Sequence, residues 1–188
     1  CCSHLGLPGW PSLAEELMVH RDIELVRLTG TPAHFLHLST AGSVALVRAA
    51  KADGLPVTAE ATPHHISLTD ELLASYSALY KVNPPLRTIE DVVAVREGLQ
   101  DGTIDAIATD HAPHTDFEKQ LDFGSAPFGI TGLETALPTL YQNFIRTGTF
   151  GWDLLVKRYS AEPRRLLRME PVEFKEGAKV DLTVFNPE

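Results

Sequence analysis

Cysteine is scarce in this sequence, which has only two, at the adjacent positions Cys1 and Cys2. Adjacent cysteines cannot form a disulfide framework, and their scarcity favours a reducing compartment. We therefore expect a cytoplasmic protein. An initiator methionine and a signal-peptide pattern are also lacking, and both ends of the sequence look cut, so we expect a piece of a longer chain.

Basic charge and long hydrophobic runs are lacking as well. The 25 acidic residues outnumber the 16 lysines and arginines, which gives a formal net charge of −9. Without a basic cluster, this balance argues against a nucleic-acid partner. No apolar run approaches the roughly 20 residues that cross a bilayer, so we expect no membrane span. The rest of the composition, with 44% hydrophobic and 22% charged residues in a chain of 188, is typical of a globular protein with one sizeable core.

Strand and helix patterns alternate along the chain. Short apolar runs predict strands at residues 33–38, 56–61, 104–109 and 180–185, with helical patterns between them. This alternation indicates parallel βαβ units, in either a segment of a (β/α)₈ barrel or a doubly wound sheet. The first three of these strands are too few to close a barrel. The barrel interpretation therefore makes this chain the last part of one.

Two helix starts are predicted from capping patterns. Ser12 and Glu15 have the spacing of a capping box, which predicts a helix running towards Gly30. The apolar residues that follow at broadly helical spacing are Leu13, Leu17, Ile23 and Val26. Ser43 is a suitable cap for a second helix, which ends at the pair Asp53-Gly54.

The most informative stretch is IATDHAPH, residues 107–114, an apolar strand that ends in a carboxylate flanked by imidazoles. Asp110 would lie at the carboxyl end of a buried strand, where α/β folds carry their reactive groups. A carboxylate beside His111 and His114 is suited to bind a metal or to act as a general base. The alternative is that Asp110 caps a helix in a polar loop.

The histidines support a site, because all eight lie at or before position 114 and several follow predicted strands. His37, near the end of its strand, is a better ligand candidate than His34, and the alternative is an ordinary residue at the rim of the sheet. His64 and His65 follow the next strand and are interpreted as polar surface; the alternative is that one of them contacts a metal ligand. His4 and His20 belong to no such group and are expected to be exposed.

Two loops add to the predicted site. Pro84 and Pro85 stiffen the loop after Asn83, which would aim its amide at a small polar substrate; a plain turn is the alternative. Residues 115–129 form a long polar stretch directly after the site, and a mobile lid is expected there.

Five strings, HLSTAGSV, AEATPHH, KVNPPLR, DGTIDAIATDHAPH and APFGITGLETALP, occur in this order over nearly the whole chain. Together they resemble the bacterial type I dihydroorotases of the amidohydrolase superfamily. The resemblance implies that residues 1–170 are the C-terminal portion of a metal-dependent (β/α)₈ barrel. Residues 171–188 would then form a strand that returns to a small β-sandwich. The implied activity is the zinc-dependent interconversion of N-carbamoyl-L-aspartate and L-dihydroorotate in pyrimidine (UMP) biosynthesis, with two zinc ions in the complete protein.

The same resemblance implies roles for particular residues. His37 matches a metal ligand, and Asp110 matches a metal ligand that also moves the proton in catalysis. Asn83, His114 and the pair Phe128-Gly129 match substrate-binding positions. His64 and His65 match a recurrent string without an implied role.

Other parts of the family pattern are missing from this sequence. The family's His-x-His pair, its bridging carboxylate or carboxylated lysine, and a further histidine do not occur here, so we expect the chain alone to be inactive. Hydantoinases or allantoinases, and a non-catalytic dihydroorotase-like scaffold, remain alternatives. The expected partner is a small-molecule substrate; the resemblance also allows a homodimer and an association with aspartate transcarbamoylase.

Overall fold

A computed structural model describes residues 2–173, 175–179, 182–184 and 186. Its centre is a sheet of three parallel strands, β1 (Ala33–Phe35), β2 (Val57–Ala61) and β3 (Ala106–Ile107). The strands lie side by side in chain order, with β2 in the middle. A parallel sheet with helical connections is what the alternating pattern predicted, and the carboxyl ends of all three strands therefore lie at one edge.

Helices precede, connect and follow the strands. Up to β3 these are α1 (Cys2–Leu5), α2 (Ser12–Thr29), α3 (Ala41–Ala52), α4 (Pro63–Ser67) and α5 (Ile89–Asp101), with 3₁₀ turns at Asp70–Ser75 and Ala78–Tyr80. After β3 come α6 (Asp116–Lys119), α7 (Ala136–Leu140), α8 (Trp152–Val156) and α9 (Glu162–Leu166). Two π-helical turns, Tyr141–Ile145 and Lys157–Ala161, continue α7 and α8. Among the described residues no helix is both long enough and apolar enough to span a bilayer.

The predicted helix caps are partly wrong. Thr40, not Ser43, caps α3, because its side chain accepts the backbone N–H of Ser43 at 3.1 Å. α2 begins at Ser12 after Pro11, and no side chain among the described residues caps it. The Glu15 carboxylate does not close a capping box but contacts the loop after β1, because unpaired backbone N–H groups are available there.

The buried side of α2 also differs from the prediction. Ile23 and Val26 are buried together with Val19, whereas Leu13 and Leu17 are more than half exposed. The side of α2 that carries Leu13 and Leu17 therefore does not pack against the sheet in the described part of the chain. The helix ends as predicted at Gly30, whose left-handed φ of 68° lets its N–H reach the carbonyl of Val26.

The core lies between one face of the sheet and the helices. Alternate residues of β2, Val57, Ala59 and Ala61, are buried on this face, as the period of a strand requires. One cluster of buried side chains lies against β1 and β2 (Val19, Ile23, Val26, Phe35, Leu38, Val47, Ala50, Val57 and Ala59). The other lies against β2 and β3 (Val44, Ala61, Ile66, Val95, Leu99, Ile104, Ile107, Leu140, Phe144, Phe150 and Leu155).

The opposite face of the sheet is more polar. His34 of β1 lies 2.8 Å from the Thr58 hydroxyl and 3.1 Å from a Glu60 carboxylate oxygen, both on β2. Leu36, just beyond β1, is 58% exposed on the same side of the chain as His34. The predicted strand at residues 180–185 includes positions outside the described residues, and its described positions 182–184 are not in a strand.

Candidate active site

His37 and Asp110 both lie just beyond the carboxyl ends of their strands, β1 and β3, at the same edge of the sheet. Because β2 lies between those strands, their backbones are separated there by about 10 Å, two strand spacings. Both residues have left-handed backbone angles, with φ of 38° for His37 and 47° for Asp110. The chain therefore turns sharply at both positions, and neither side chain continues the pleat of its strand.

His37 fits the ligand role that its motif predicts. Its Nδ1 atom is buried and has no hydrogen-bond partner among the described residues. Buried ring nitrogens normally have a partner, so an unpaired one at a strand end is available to a metal ion. His64 lies in α4, just after β2. Its Nε2 atom is likewise buried and has no hydrogen-bond partner among the described residues.

The interpretation of His64 and His65 as polar surface is wrong, because they are only 6% and 2% exposed. Burial, with smaller contributions from His65 and His37, lowers the pKa of His64 to about 2. Burial also lowers the pKa of His65 to about 4, with His37 among the smaller causes. Both imidazoles are therefore neutral at pH 7, and His37 is near enough to influence both.

His65 ties the end of β2 to the Asn83 loop. Its Nε2–H donates to the carbonyl of Pro84 at 2.8 Å, and its Nδ1 accepts from the Thr62 hydroxyl at 2.8 Å. Pro84, the residue after Asn83, is therefore hydrogen-bonded to the segment that follows β2. Asn83 itself is exposed.

His114, Phe128 and Gly129 form one contact region beside Asp110. The His114 Nε2–H donates to the Phe128 carbonyl at 2.8 Å. His111 lies in a parallel bridge with Ile130, and its Nδ1 accepts the Gly132 N–H at 2.9 Å. The segment after Asp110 and the segment after Phe128 therefore run side by side.

The chain needs glycine at position 129. Its φ is 142°, which L side chains rarely adopt, and a Cβ atom there would lie 2.6 Å from the Ala112 carbonyl oxygen. Its N–H donates to the carbonyl of Lys81 at 2.9 Å, two residues before Asn83. Gly129 thus joins the two segments that carry the predicted substrate-binding residues.

The described residues supply only part of a metal site. His37 and Asp110 fit as ligands, but no group of three or more His, Cys, Asp or Glu side chains is spaced to hold a metal ion in the described part of the chain. Zinc takes three or four protein ligands. The predicted site residues are thus gathered at one edge of the sheet, without a complete ligand set.

Curated relatives match this chain along almost its whole length. It is 50% identical over 184 residues to a dihydroorotase of Pelotomaculum thermopropionicum, covering 98% of this chain and 43% of that protein. It is also 50% identical over 189 residues to a dihydroorotase of Thermus aquaticus, covering 97% of this chain and 44% of the relative. The chain belongs to the dihydroorotase family. It spans less than half the length of the relatives named here. A scan against protein-family models finds no match.

Solved structures place this dihydroorotase-family chain in the amidohydrolase barrel fold. An L-hydantoinase (dihydropyrimidinase) from Arthrobacter aurescens matches with a TM-score of 0.80 and 28% identity, over 84% of this chain and 36% of that one. A dihydropyrimidinase from Brevibacillus agri matches with a TM-score of 0.80 and 25% identity, over 86% of this chain and 36% of that one. The predicted fold, a partial (β/α)₈ barrel, is confirmed.

Sequence reasoning missed the buried polar network below the dihydroorotase-like loops. The Glu15 carboxylate accepts the backbone N–H groups of Ser39 and Thr40 at 3.0 and 3.2 Å. Arg87 approaches the same carboxylate at 3.7 Å and donates to the Ser39 hydroxyl at 3.1 Å. A third Arg87 contact, 2.6 Å to the carbonyl of Trp10, reaches the segment before α2. The signal for this network in the sequence was the charged residue Arg87 at the end of the string NPPLR.

Proposed function

We propose that the complete gene product containing these residues is a dihydroorotase, which interconverts N-carbamoyl-L-aspartate and L-dihydroorotate with zinc. The observation that carries this proposal is the gathering of the dihydroorotase-like motif residues at one edge of the parallel sheet. The identity of about one half with curated dihydroorotases supports it. A role in pyrimidine biosynthesis and a cytoplasmic location belong to the same proposal.

His37 and Asp110 would hold zinc together with residues outside this chain. When bound, zinc polarises the amide carbonyl and lowers the pKa of a water molecule to about 7. The Asp110 carboxylate accepts the proton of the attacking water and returns it to the leaving amide nitrogen. Asp110 is half-buried, so its carboxylate remains accessible to a substrate at the strand ends.

The loops would bind the substrate. Asn83 offers an exposed amide whose N–H groups can donate to the substrate carboxylate. His114 and the backbone of Phe128 and Gly129 lie on the Asp110 side. Because Gly129 is bonded to Lys81, the two groups of substrate contacts are fixed relative to each other.

One alternative, a hydantoinase-like cyclic amidohydrolase, also has a specific observation behind it. Of the two similar solved structures named above, one is an L-hydantoinase (dihydropyrimidinase) and the other a dihydropyrimidinase. Asn83 and His114 favour dihydroorotase, because both match substrate-binding positions in the motifs that resemble that family. A non-catalytic scaffold is disfavoured because the ligand candidates His37 and Asp110 are both intact. A homodimer, or an association with aspartate transcarbamoylase, is compatible with the proposal.

The test is turnover of dihydroorotate, hydantoin and allantoin by the complete gene product, with the metal content measured on the same sample. We expect zinc-dependent turnover of dihydroorotate alone. Asp110→Asn should lower kcat by roughly 10²- to 10⁴-fold because the proton acceptor is lost. His20→Asn, which changes an exposed histidine on α2, should not change it. Turnover of hydantoin in preference to dihydroorotate would replace the proposal with its alternative.

A further inference from the structure

Two lysines hold the loop that carries Phe128 and Gly129, which we name the substrate loop and define as residues 123–129. Lys81 is 9% exposed, and its ammonium lies 3.0 Å from the Gly124 carbonyl oxygen and 2.6 Å from that of Ala126. The Lys119 ammonium lies 3.0 Å from the carbonyl oxygen of Pro127. Three carbonyls of the same short loop thus accept hydrogen bonds from two side chains outside it.

Both ammonium groups also make contacts other than these three hydrogen bonds. Lys119 also donates to the Ala78 carbonyl at 3.0 Å, in the 3₁₀ turn that precedes the Asn83 loop. The rings of Phe128 and Phe123 lie 4.7 and 5.6 Å from the Lys81 ammonium, within the range of a cation–π contact. Within the described ranges, neither lysine forms an ion pair with a carboxylate. Carbonyl dipoles therefore compensate both charges, and two aromatic rings add to this compensation at Lys81.

This compensation makes the loop conformation and the charges depend on each other. A buried cation is costly unless its hydrogen bonds are made, and here the loop makes most of them. If residues 124–127 move away, the Lys81 ammonium loses both of its carbonyl acceptors. Hydrogen bonds to a charged group are stronger than those between neutral groups, so this arrangement favours the observed conformation of the substrate loop.

Lys81 also connects this loop to the other substrate-binding segment. Its backbone carbonyl accepts the Gly129 N–H at 2.9 Å, while its side chain binds the carbonyls at the start of the loop. Only Val82 separates Lys81 from Asn83. One residue therefore sets the distance between Asn83 and the Phe128-Gly129 pair.

We propose that Lys81 and Lys119 are positioning residues, a lysine clamp that fixes the substrate loop against the Asn83 segment so that both can bind one substrate. The inference rests on the proposed function, because it assigns the clamp to the binding of dihydroorotate. It also replaces the expected mobile lid with an anchored loop. Since the clamp acts on contacts made with the bound substrate, its loss should raise KM more than it lowers kcat.

The test uses Lys81→Met in the complete gene product, which removes the ammonium but keeps an apolar side chain of similar length and the backbone carbonyl. We expect KM for dihydroorotate to rise about tenfold, with kcat changed by less than about twofold, as expected when one charged hydrogen-bonding group is lost from a binding loop. Hydrogen–deuterium exchange of residues 120–129 should become about tenfold faster. Lys119→Met, at a more exposed position, should also raise KM for dihydroorotate and make the exchange of residues 120–129 faster.

Lys51→Met is the matched control. Lys51 also donates to a backbone carbonyl, that of Gly102 at 3.1 Å, and it pairs with Asp105 at 2.6 Å, near the amino end of β3. Its loss should lower the melting temperature without changing KM or the exchange of residues 120–129. A variant that is merely less stable is thereby separated from one with a displaced loop.

Each outcome decides the inference. Unchanged KM in Lys81→Met and Lys119→Met would overturn it, even if exchange became faster, because the lysines would then be structural only. Equal changes in Lys51→Met would overturn it too. If Lys81→Met does not fold, Lys119→Met decides on the same criteria. A parent protein that does not turn over dihydroorotate refutes the proposed function instead; unchanged exchange in the lysine variants would then also refute the clamp.

Discussion

Gly129 holds a backbone conformation that any side chain would strain. We predict that Gly129→Ala lowers the free energy of unfolding of the complete gene product by roughly 1–3 kcal/mol and raises KM for dihydroorotate. The added Cβ would meet the Ala112 carbonyl at 2.6 Å, and the φ of 142° does not suit an L side chain. Urea denaturation and steady-state kinetics measure the two effects.

Gly148→Ala is the control for that substitution. Gly148 also has a positive φ, 72°, but an added Cβ would meet no heavy atom within 4 Å. We expect a loss of about 1 kcal/mol, from the left-handed conformation alone, and an unchanged KM. If both variants had the same KM as the parent, the close approach at position 129 would have no role in binding.

His65 gives the protein a dependence on pH that can be measured. Burial lowers its pKa from 6.5 to about 4, so the unfolded chain binds more protons than the folded one between these two values. The free energy of unfolding should therefore fall as pH decreases through this window, by up to about 1.4 kcal/mol per pH unit, and should not change from this cause above pH 6.5. Urea denaturation of the complete gene product at pH 7 and pH 5 measures the change.

His65→Gln should reduce that slope, because glutamine does not titrate in this range. His20→Gln, at an exposed position, should leave it unchanged. Equal slopes in the parent and in His65→Gln would contradict the prediction and assign the acid sensitivity to other groups, with the buried His64 as the next candidate.

At the scale of elements, the loops after β1 and β2 depend on one buried ion pair. The Arg87 and Glu15 side chains are only 7% and 11% exposed. We predict that Arg87→Met lowers the free energy of unfolding by about 3–5 kcal/mol, because it leaves the Glu15 carboxylate buried without its cation. A double-mutant cycle with Glu15→Gln, measured by urea denaturation, should show a coupling of about 1 kcal/mol or more.

The pair of Arg48 and Asp101 provides the comparison. Both side chains are 46% exposed, and they approach to 2.7 Å. Arg48→Met should cost less than about 1 kcal/mol, since solvent screens an exposed pair. A similar cost for Arg87→Met would mean that burial does not make the Glu15 pair important.

The elements themselves were largely predictable from sequence, but the ends of the strands were not. The apolar runs at 33–38 and 104–109 identified β1 and β3, which are shorter than predicted. Left-handed backbone angles follow both strands, at His37 and Asp110, and a hydrophobic pattern does not report such turns. The role of Glu15 was missed because it bonds to a residue 24 positions away, whereas a capping box is a local pattern.

The candidate site was also predictable from sequence only in part. His37, Asp110, Asn83, His114, Phe128 and Gly129 were named from motifs, and the structure brings the elements that carry them to one edge. Lys81 was visible in KVNPPLR but carried no signal, since the carbonyls that it binds lie 43 and 45 residues later. Contacts with backbone carbonyls leave no pattern of residue types, so only coordinates reveal them.

At the scale of the whole molecule, residues 1–188 supply two of the ligands of the proposed zinc site, His37 and Asp110. We predict that this chain, expressed alone, binds zinc more weakly than the complete gene product and does not turn over dihydroorotate. Two ligands fall short of the three or four that zinc takes from a protein. Metal analysis after dialysis and an assay of dihydroorotate hydrolysis measure both; robust zinc-dependent turnover by the isolated chain would refute the prediction.

The left-handed backbone at His37 and Asp110 has a consequence for redesigning the metal preference. Histidine, aspartate and asparagine tolerate this conformation better than other side chains, whereas β-branched residues do not. Substitutions at these two proposed ligand positions are therefore limited first by the backbone angle φ and only then by the metal preference of the new side chain. Asparagine is the least strained replacement at either position, and threonine the most strained. Selection for a softer or harder ion would then have to act on other ligand positions.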